Sequence, residues 1–176
     1  QHLGEIAAMV ALYRPGPMQH LPDYIAAKHG RESVRYPHPA LMDILRETYG
    51  VIVYQDQVLL ILRKFAGYTL GTADIVRKAM GKKIAELMVA ERDNFLKGSA
   101  ELGYDGRVAN EIFDLIEPFA GYAFNKAHAT CYALIAYQTA YLKANYPAEY
   151  MCALMNSFMD VPEKLAKERA LRDNAQ

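Results

Sequence analysis

Apolar residues recur along this chain at three- and four-residue intervals. Proline and glycine interrupt them, and nearly every segment between interruptions reads as helix. The pattern predicts a short helix over 4–12, stopped by Arg14-Pro-Gly-Pro17, because proline locks φ and disfavours helix before it. Pro22 opens a second helix to about Lys28, with Gly30 ending it. Tyr36-Pro-His-Pro39 is a stiff connector to a helix over 40–48. Val51-Ile-Val-Tyr54 is the one β-like stretch, and a helix from about Gln55 to Phe65 follows it. Thr69 or Thr72 caps the next helix, which runs to Met80 and stops at Gly81. Further helices are expected over 84–102, from Asp105 to Glu117, over 125–145, over 147–158 and from about Val161. The fold class is therefore all-α: an irregular multi-helix domain with one long helix at 125–145 and at most a very short β-like stretch at 51–54.

Composition fits that picture. The 176 residues are 52% hydrophobic and 23% charged, enough for one globular core. Twenty basic and 20 acidic residues give a net charge of +0, which argues against a free-standing nucleic-acid binder. Cys131 and Cys152 sit in apolar helical sequence, so buried thiols in a reducing compartment are expected. No apolar run reaches the roughly 18–20 residues that cross a bilayer, and no secretory leader is present. The chain opens on Gln1-His-Leu and closes on charged helical sequence, which reads as an excised piece of a larger cytoplasmic protein.

Charge is unevenly distributed. Arg77-Lys-Ala-Met-Gly-Lys-Lys83 holds four cations in seven residues, and residues 61–83 carry a net charge of +5 with Asp74 as the single acid. Arg offers a planar fork and Lys a point charge, so Arg77, Lys78, Lys82 and Lys83 are candidates for a phosphate clamp. The alternative is a helix C-terminus whose cations complement the helix dipole. Gly81-Lys82 is not a nucleotide P-loop, since Val76 and Lys83 stand where that motif needs Gly and Ser or Thr.

The second candidate is the start of the long helix. Asn125 suits an N-cap, and Lys126 and His128 add an amine and an imidazole where free N–H groups already favour anions. Asn125, His128 and Tyr132 share one helical face, and Tyr132 is placed to stack on a base. The packing alternative has Asn125 as a cap only, His128 bonded to a carbonyl and Tyr132 in the core.

Other chemistry is missing from the sequence. The histidines at 2, 20, 29, 38 and 128 show no ligand spacing, no Cys pair is close, and no Asp-x-Asp or Gly-x-Ser-x-Gly occurs. Asp43/Glu47 and Glu111/Asp114 read as solvated helix faces.

Several blocks together resemble a known family. They are Ala11-Leu-Tyr-Arg-Pro-Gly-Pro-Met18, Tyr49-Gly-Val-Ile-Val-Tyr-Gln-Asp-Gln-Val58, Ala66-Gly-Tyr-Thr-Leu-Gly71, Arg77-Lys-Ala-Met-Gly-Lys-Lys83, Phe119-Ala-Gly-Tyr-Ala-Phe-Asn-Lys-Ala-His128, Tyr137-Gln-Thr-Ala-Tyr-Leu-Lys143 and Tyr146-Pro-Ala-Glu-Tyr150. In this order they resemble the fingers region of the alpha subunit of bacterial DNA polymerase III, the family C replicative polymerases. The resemblance implies fingers over 1–156, with 157–176 leading toward a helix-hairpin-helix region. It implies a DNA-directed DNA polymerase whose fingers contact the incoming deoxynucleotide and the nascent pair. Mg2+ would be held by palm aspartates outside this chain, and the fragment alone would be inactive.

The resemblance also implies a set of partners: primer-template DNA, the dNTP, the palm and, through other regions, replisome subunits such as the sliding clamp. It carries phosphate contact onto Arg77 and Lys78, and onto Asn125, Lys126 and His128. Many members have Arg where this chain has Lys78, and Ser where it has Ala127. Arg14 is left between contacting nucleic acid and bracing the palm–fingers junction. The rival from another class is a helical scaffold or interaction module with a solvated basic face.

Overall fold

The computed structural model describes residues 2–34, 36–82 and 85–173. Among them every regular element is helical: α1 (Leu3–Leu12), α2 (Leu21–Lys28), α3 (Met42–Leu45), α4 (Gln55–Ala66), α5 (Leu70–Gly81), α6 (Ala85–Glu101), α7 (Gly106–Ile116), α8 (Lys126–Asn145), α9 (Pro147–Ser157) and α10 (Pro162–Asp173). The all-α expectation holds. The chain divides into two compact units, Gln1–Tyr132 and Ala133–Gln176.

The core of the first unit is built on α4. Val58, Ile61, Leu62 and Phe65 follow the helical repeat and are wholly buried. They pack in one cluster with Phe95 of α6 and with Ile112, Phe113 and Ile116 of α7. The α4–α6 approach depends on Gly98, where a Cβ would fall 2.4 Å from the Ala66 carbonyl oxygen. Beside it the Ser99 hydroxyl donates to the Phe65 carbonyl at 2.6 Å, so α6 also caps the open end of α4. Arg92 ties α6 to α7 through Asp114 at 2.6 Å and Glu117 at 3.0 Å, with its guanidinium over the Phe113 ring.

The helix expected over 40–48 is instead three short pieces. A 3-10 turn at Pro39–Leu41 leads into α3, and a second covers Arg46–Thr48. The cause is Gln57, a buried amide on α4. Its Nε2 donates to the Ile44 carbonyl at 3.3 Å and to the Thr48 hydroxyl at 2.8 Å. Its Oε1 accepts from the Val53 and Tyr54 amides at 2.8 and 3.0 Å. One side chain thus takes a carbonyl from the ideal helix and fixes the β-like stretch after it.

That stretch makes the β pairing found among the described residues, an isolated parallel bridge between Tyr54 and Phe124. The Phe124 amide donates to the Val53 carbonyl and the Gln55 amide to the Phe124 carbonyl, each at 2.9 Å. Both strands of the bridge then turn into helices, so α4 and α8 begin side by side.

In the second unit α9 starts on Pro147 and contributes no buried residue. α10 packs against α9, and the Lys164 amine lies 5.3 Å from the Phe158 ring.

The cysteine expectation is overturned: Cys131 and Cys152 are both exposed. Ala129 and Ala133 of α8 are buried, and Cys131, two residues from each, points about 200° away around the helix. Cys152 lies on α9, where the described residues bury nothing.

Candidate functional site

The described residues predicted to contact phosphate fall at two places, the end of α5 and the start of α8. Thr69 caps α5, its hydroxyl accepting from the Thr72 amide at 3.1 Å. The helix runs to Gly81, and Lys82 follows exposed, with no side-chain partner among the described residues. Lys83 lies outside the described residues. Arg77 and Lys78 both turn back to Asp74, one turn earlier. Arg77 donates from Nε and Nη2 to the same carboxylate oxygen at 3.2 and 3.0 Å. The Lys78 amine reaches the other oxygen at 2.7 Å. The Arg77 side chain is 13% exposed and that of Lys78 64%, so the lysine is the accessible cation of the pair. The hydrogen bonds from Lys78, then Arg77, hold the Asp74 carboxyl below its ordinary range.

Lys64, also counted in the basic segment, turns elsewhere. Its amine donates to the Ala40 carbonyl at 3.0 Å and meets Asp43 at 3.3 Å.

At the other place, Asn125 caps α8 as its sequence position predicts: its Oδ1 accepts from the His128 amide at 2.9 Å. Lys126 extends to Glu47 at 2.6 Å and lies 5.5 Å from the centre of the Tyr54 ring. Burial, and then the nearby Glu47 charge, push the Tyr54 hydroxyl up to about 12. The Lys126–Glu47 pair lines a shallow pocket of about 370 Å³ with Asp43, Arg46, Asp56 and Leu60. Asp56 stands in the first turn of α4, where a carboxylate suits the dipole.

The His128 ring is exposed, and among the described residues no carbonyl accepts from it. It lies against Phe124 at 5.4 Å and Tyr132 at 4.6 Å, tilted by 57° and 46° to their rings. Tyr132 is 54% exposed rather than part of the core. Arg14 extends this ladder from the other side, its guanidinium 4.7 Å from the Phe124 ring centre. Arg14 also donates to the carbonyls of Ala11 and Tyr122. Burial lowers its pKa. Gly16, at φ +96°, lies against the Tyr122 ring, so the Arg14-Pro-Gly-Pro17 turn is clasped onto the approach to α8.

A glycine contact joins the two places. A Cβ on Gly81 would meet the Gly121 Cα at 3.4 Å, and one on Gly121 would meet the Gly81 Cα at the same distance. The basic end of α5 therefore packs backbone to backbone on the turn that delivers α8.

Sequence reasoning missed the partners. Glu47 is 79 residues from Lys126, and no local spacing points to it. Asp74 was countable but not recognisable as the holder of both cations. A larger cavity of about 650 Å³, bordered by His20, Tyr49 and Phe119, touches none of the predicted site residues. The described residues gather no group of three His, Cys, Asp or Glu side chains able to hold a metal. They include no helix long and apolar enough to cross a membrane.

Fold and site together define an all-helical module in which two cation-bearing helix ends are joined by a glycine contact. Residues 1–103 match the family model described as the bacterial DNA polymerase III alpha subunit finger domain. The chain is 53% identical over 162 residues to DNA polymerase III subunit alpha of Borreliella burgdorferi. It is 52% identical over 163 residues to that of Chlamydia trachomatis, and 51% over 168 residues to that of Vibrio cholerae. These alignments cover 92–93% of the chain but 13–14% of the relatives' length. The chain belongs to the bacterial DNA polymerase III alpha subunit finger domain family.

Proposed function

We propose that this chain is the fingers portion of a bacterial replicative DNA-directed DNA polymerase working in the cytoplasm. In this reading the end of α5 and the start of α8 together hold the triphosphate of the incoming deoxynucleotide. Arg77, Lys78, Lys82 and Lys83 supply charge from one side. The Asn125-capped N-terminus and Lys126 supply it from the other, with the His128 imidazole beside them for a hydrogen bond. Tyr132, exposed on the same face as His128, takes the nascent base pair. The observation that carries the reading is the Gly81–Gly121 contact, which couples these two ends within one folded unit.

Phosphoryl transfer depends on positioning and charge neutralisation, and cations beside a helix N-terminus supply both. Arg14 acts here as a brace for the α8 approach rather than as a DNA contact. Mg2+, when bound in the intact enzyme, would neutralise phosphate charge from the palm, outside this chain. Primer-template DNA, the palm and the other replisome subunits are the partners the reading requires. Alone, the fragment catalyses no nucleotide addition, and metal-dependent primer extension by the purified chain would contradict this.

The rival scaffold reading has one observation in its favour: Arg77 and Lys78 are already paired with Asp74, and Lys126 with Glu47. Arg77→Glu in the intact polymerase separates the two. The clamp reading expects the nucleotide KM to rise about tenfold or more, since a charge-assisted hydrogen bond is worth about 1.5–3 kcal/mol. An unchanged KM and kcat would favour the scaffold.

A further inference from the structure

The end of α5 presents a physical conflict. A phosphate clamp needs unsatisfied cations, yet Arg77 and Lys78 are both held by one carboxylate. Asp74 takes Arg77 on one oxygen at 3.0 and 3.2 Å and Lys78 on the other at 2.7 Å. Its two oxygens thus stand where two oxygens of a phosphate group would serve the same donors. The pairing is local, at i, i+3 and i, i+4 on one helix, and it needs no long-range packing to persist. The Asp74 side chain is 36% exposed, so solvent screens the contact and a competing anion can reach it.

We infer that Asp74 is an internal counter-anion that occupies Arg77 and Lys78 until the phosphates of a nucleotide displace it, and so sets the phosphate affinity of this end of the site. The inference rests on the clamp reading above. While Asp74 holds the cations, only part of the population is competent to bind, and the apparent affinity falls by that fraction. The more buried Arg77 is the cation that must exchange partners. Lys78 and Lys82, both exposed, meet the anion first. The arrangement also favours the more highly charged ligand. A triphosphate can displace a single carboxylate, whereas the monoanionic phosphate of a DNA backbone gains little from the exchange.

The test uses the intact polymerase carrying Asp74→Asn, which removes the charge and keeps the shape. The readouts are the dNTP KM and the inhibition constant of inorganic tripolyphosphate, a probe with phosphates and no base. Both constants are expected to fall by the same factor, about two- to fivefold, the range of an exposed ion pair. Asp74→Ala should give the same shift, since the effect belongs to the lost charge, and it stands in if the Asn variant melts early. In an Arg77→Met, Lys78→Met background, Asp74→Asn should have no effect. Constants that stay unchanged or rise in Asp74→Asn, while Arg77→Met alone raises KM, overturn the counter-anion and leave the clamp standing. If Arg77→Met changes neither constant, both are overturned.

Discussion

The end of α5 and the start of α8 carry the same kind of charge but hold it differently. At α5 the partner is Asp74, one turn away on the same helix, and the arrangement would exist in an isolated peptide to the extent that the helix did. At α8 the partner is Glu47, far away in sequence and brought in by the Gln57 network and the Tyr54–Phe124 bridge. The first is local chemistry that a reader of the sequence can count. The second exists only because the core places two helix starts together. Charge near a helix end can therefore be found from sequence, but whether that charge is free is a tertiary property.

The difference has consequences that can be ordered by size. The largest effect should come from the frame both ends share. Gly98→Ala puts a Cβ within 2.4 Å of the Ala66 carbonyl, and α4 must shift away from α6. A loss of about 3 kcal/mol in denaturant unfolding is expected. Because α4 begins at the bridge and ends just before α5, both cation sites should be disturbed together. A Gly98→Ala protein of unchanged stability would show that the two ends are not held by this packing.

An intermediate effect should appear on acidification, where a third carboxylate provides the reference. The Glu5 carboxylate accepts from Lys28 at 2.8 Å, from the Tyr49 hydroxyl at 3.0 Å and from the His2 amide at 3.1 Å. The Lys28 bond, the largest cause, with the smaller contributions of His2 and Tyr49, lowers its pKa to about 2 against the opposing effect of burial. The group binds protons more weakly when folded, so its contribution is complete above the ordinary carboxylate range. It is lost as pH falls from about 4.5 toward about 2. Glu5→Gln should remove that part of the acid dependence and leave the remainder. Asp74, lowered in the same direction, should release Arg77 and Lys78 at acid pH without a comparable change in melting temperature, because it joins neighbours on a single helix. Identical acid melting curves for wild type and Glu5→Gln would contradict the role of Glu5.

The smallest change in stability should come from His128→Ala. The ring is exposed and makes tilted contacts with Phe124 and Tyr132, so its removal should cost about 1 kcal/mol or less. In the intact polymerase the same change should slow nucleotide incorporation about tenfold, as misplacement of a positioning group does. Equal losses of melting temperature and activity would return His128 to a packing role.

Much of the frame was readable before the structure. The helix starts at Thr69, Asp105 and Asn125 were marked by short polar caps, and each accepts the expected backbone hydrogen bonds. The all-helical class followed from the spacing of apolar positions. The break-up of 40–48 did not, because it depends on a buried amide at Gln57 reaching across from another helix. The exposure of Cys131 was also hidden, since an apolar run does not reveal which side of a helix meets the core. At the candidate site, Arg77, Lys82, Asn125 and Lys126 were nominated by charge and position. The pairing of Arg77 with Asp74 and of Lys126 with Glu47, and the Gly81–Gly121 contact, required the fold.

The claim that both helix ends face one nucleotide is tested most directly by chemical protection in the intact polymerase. Lys82 and Lys126 are modified by an amine-acetylating reagent with and without saturating dNTP, and exposed Lys97 on α6 serves as the internal reference. Nucleotide should slow modification of Lys82 and Lys126 together and leave Lys97 unchanged. Equal rates at Lys82 and Lys126 with and without nucleotide would contradict it.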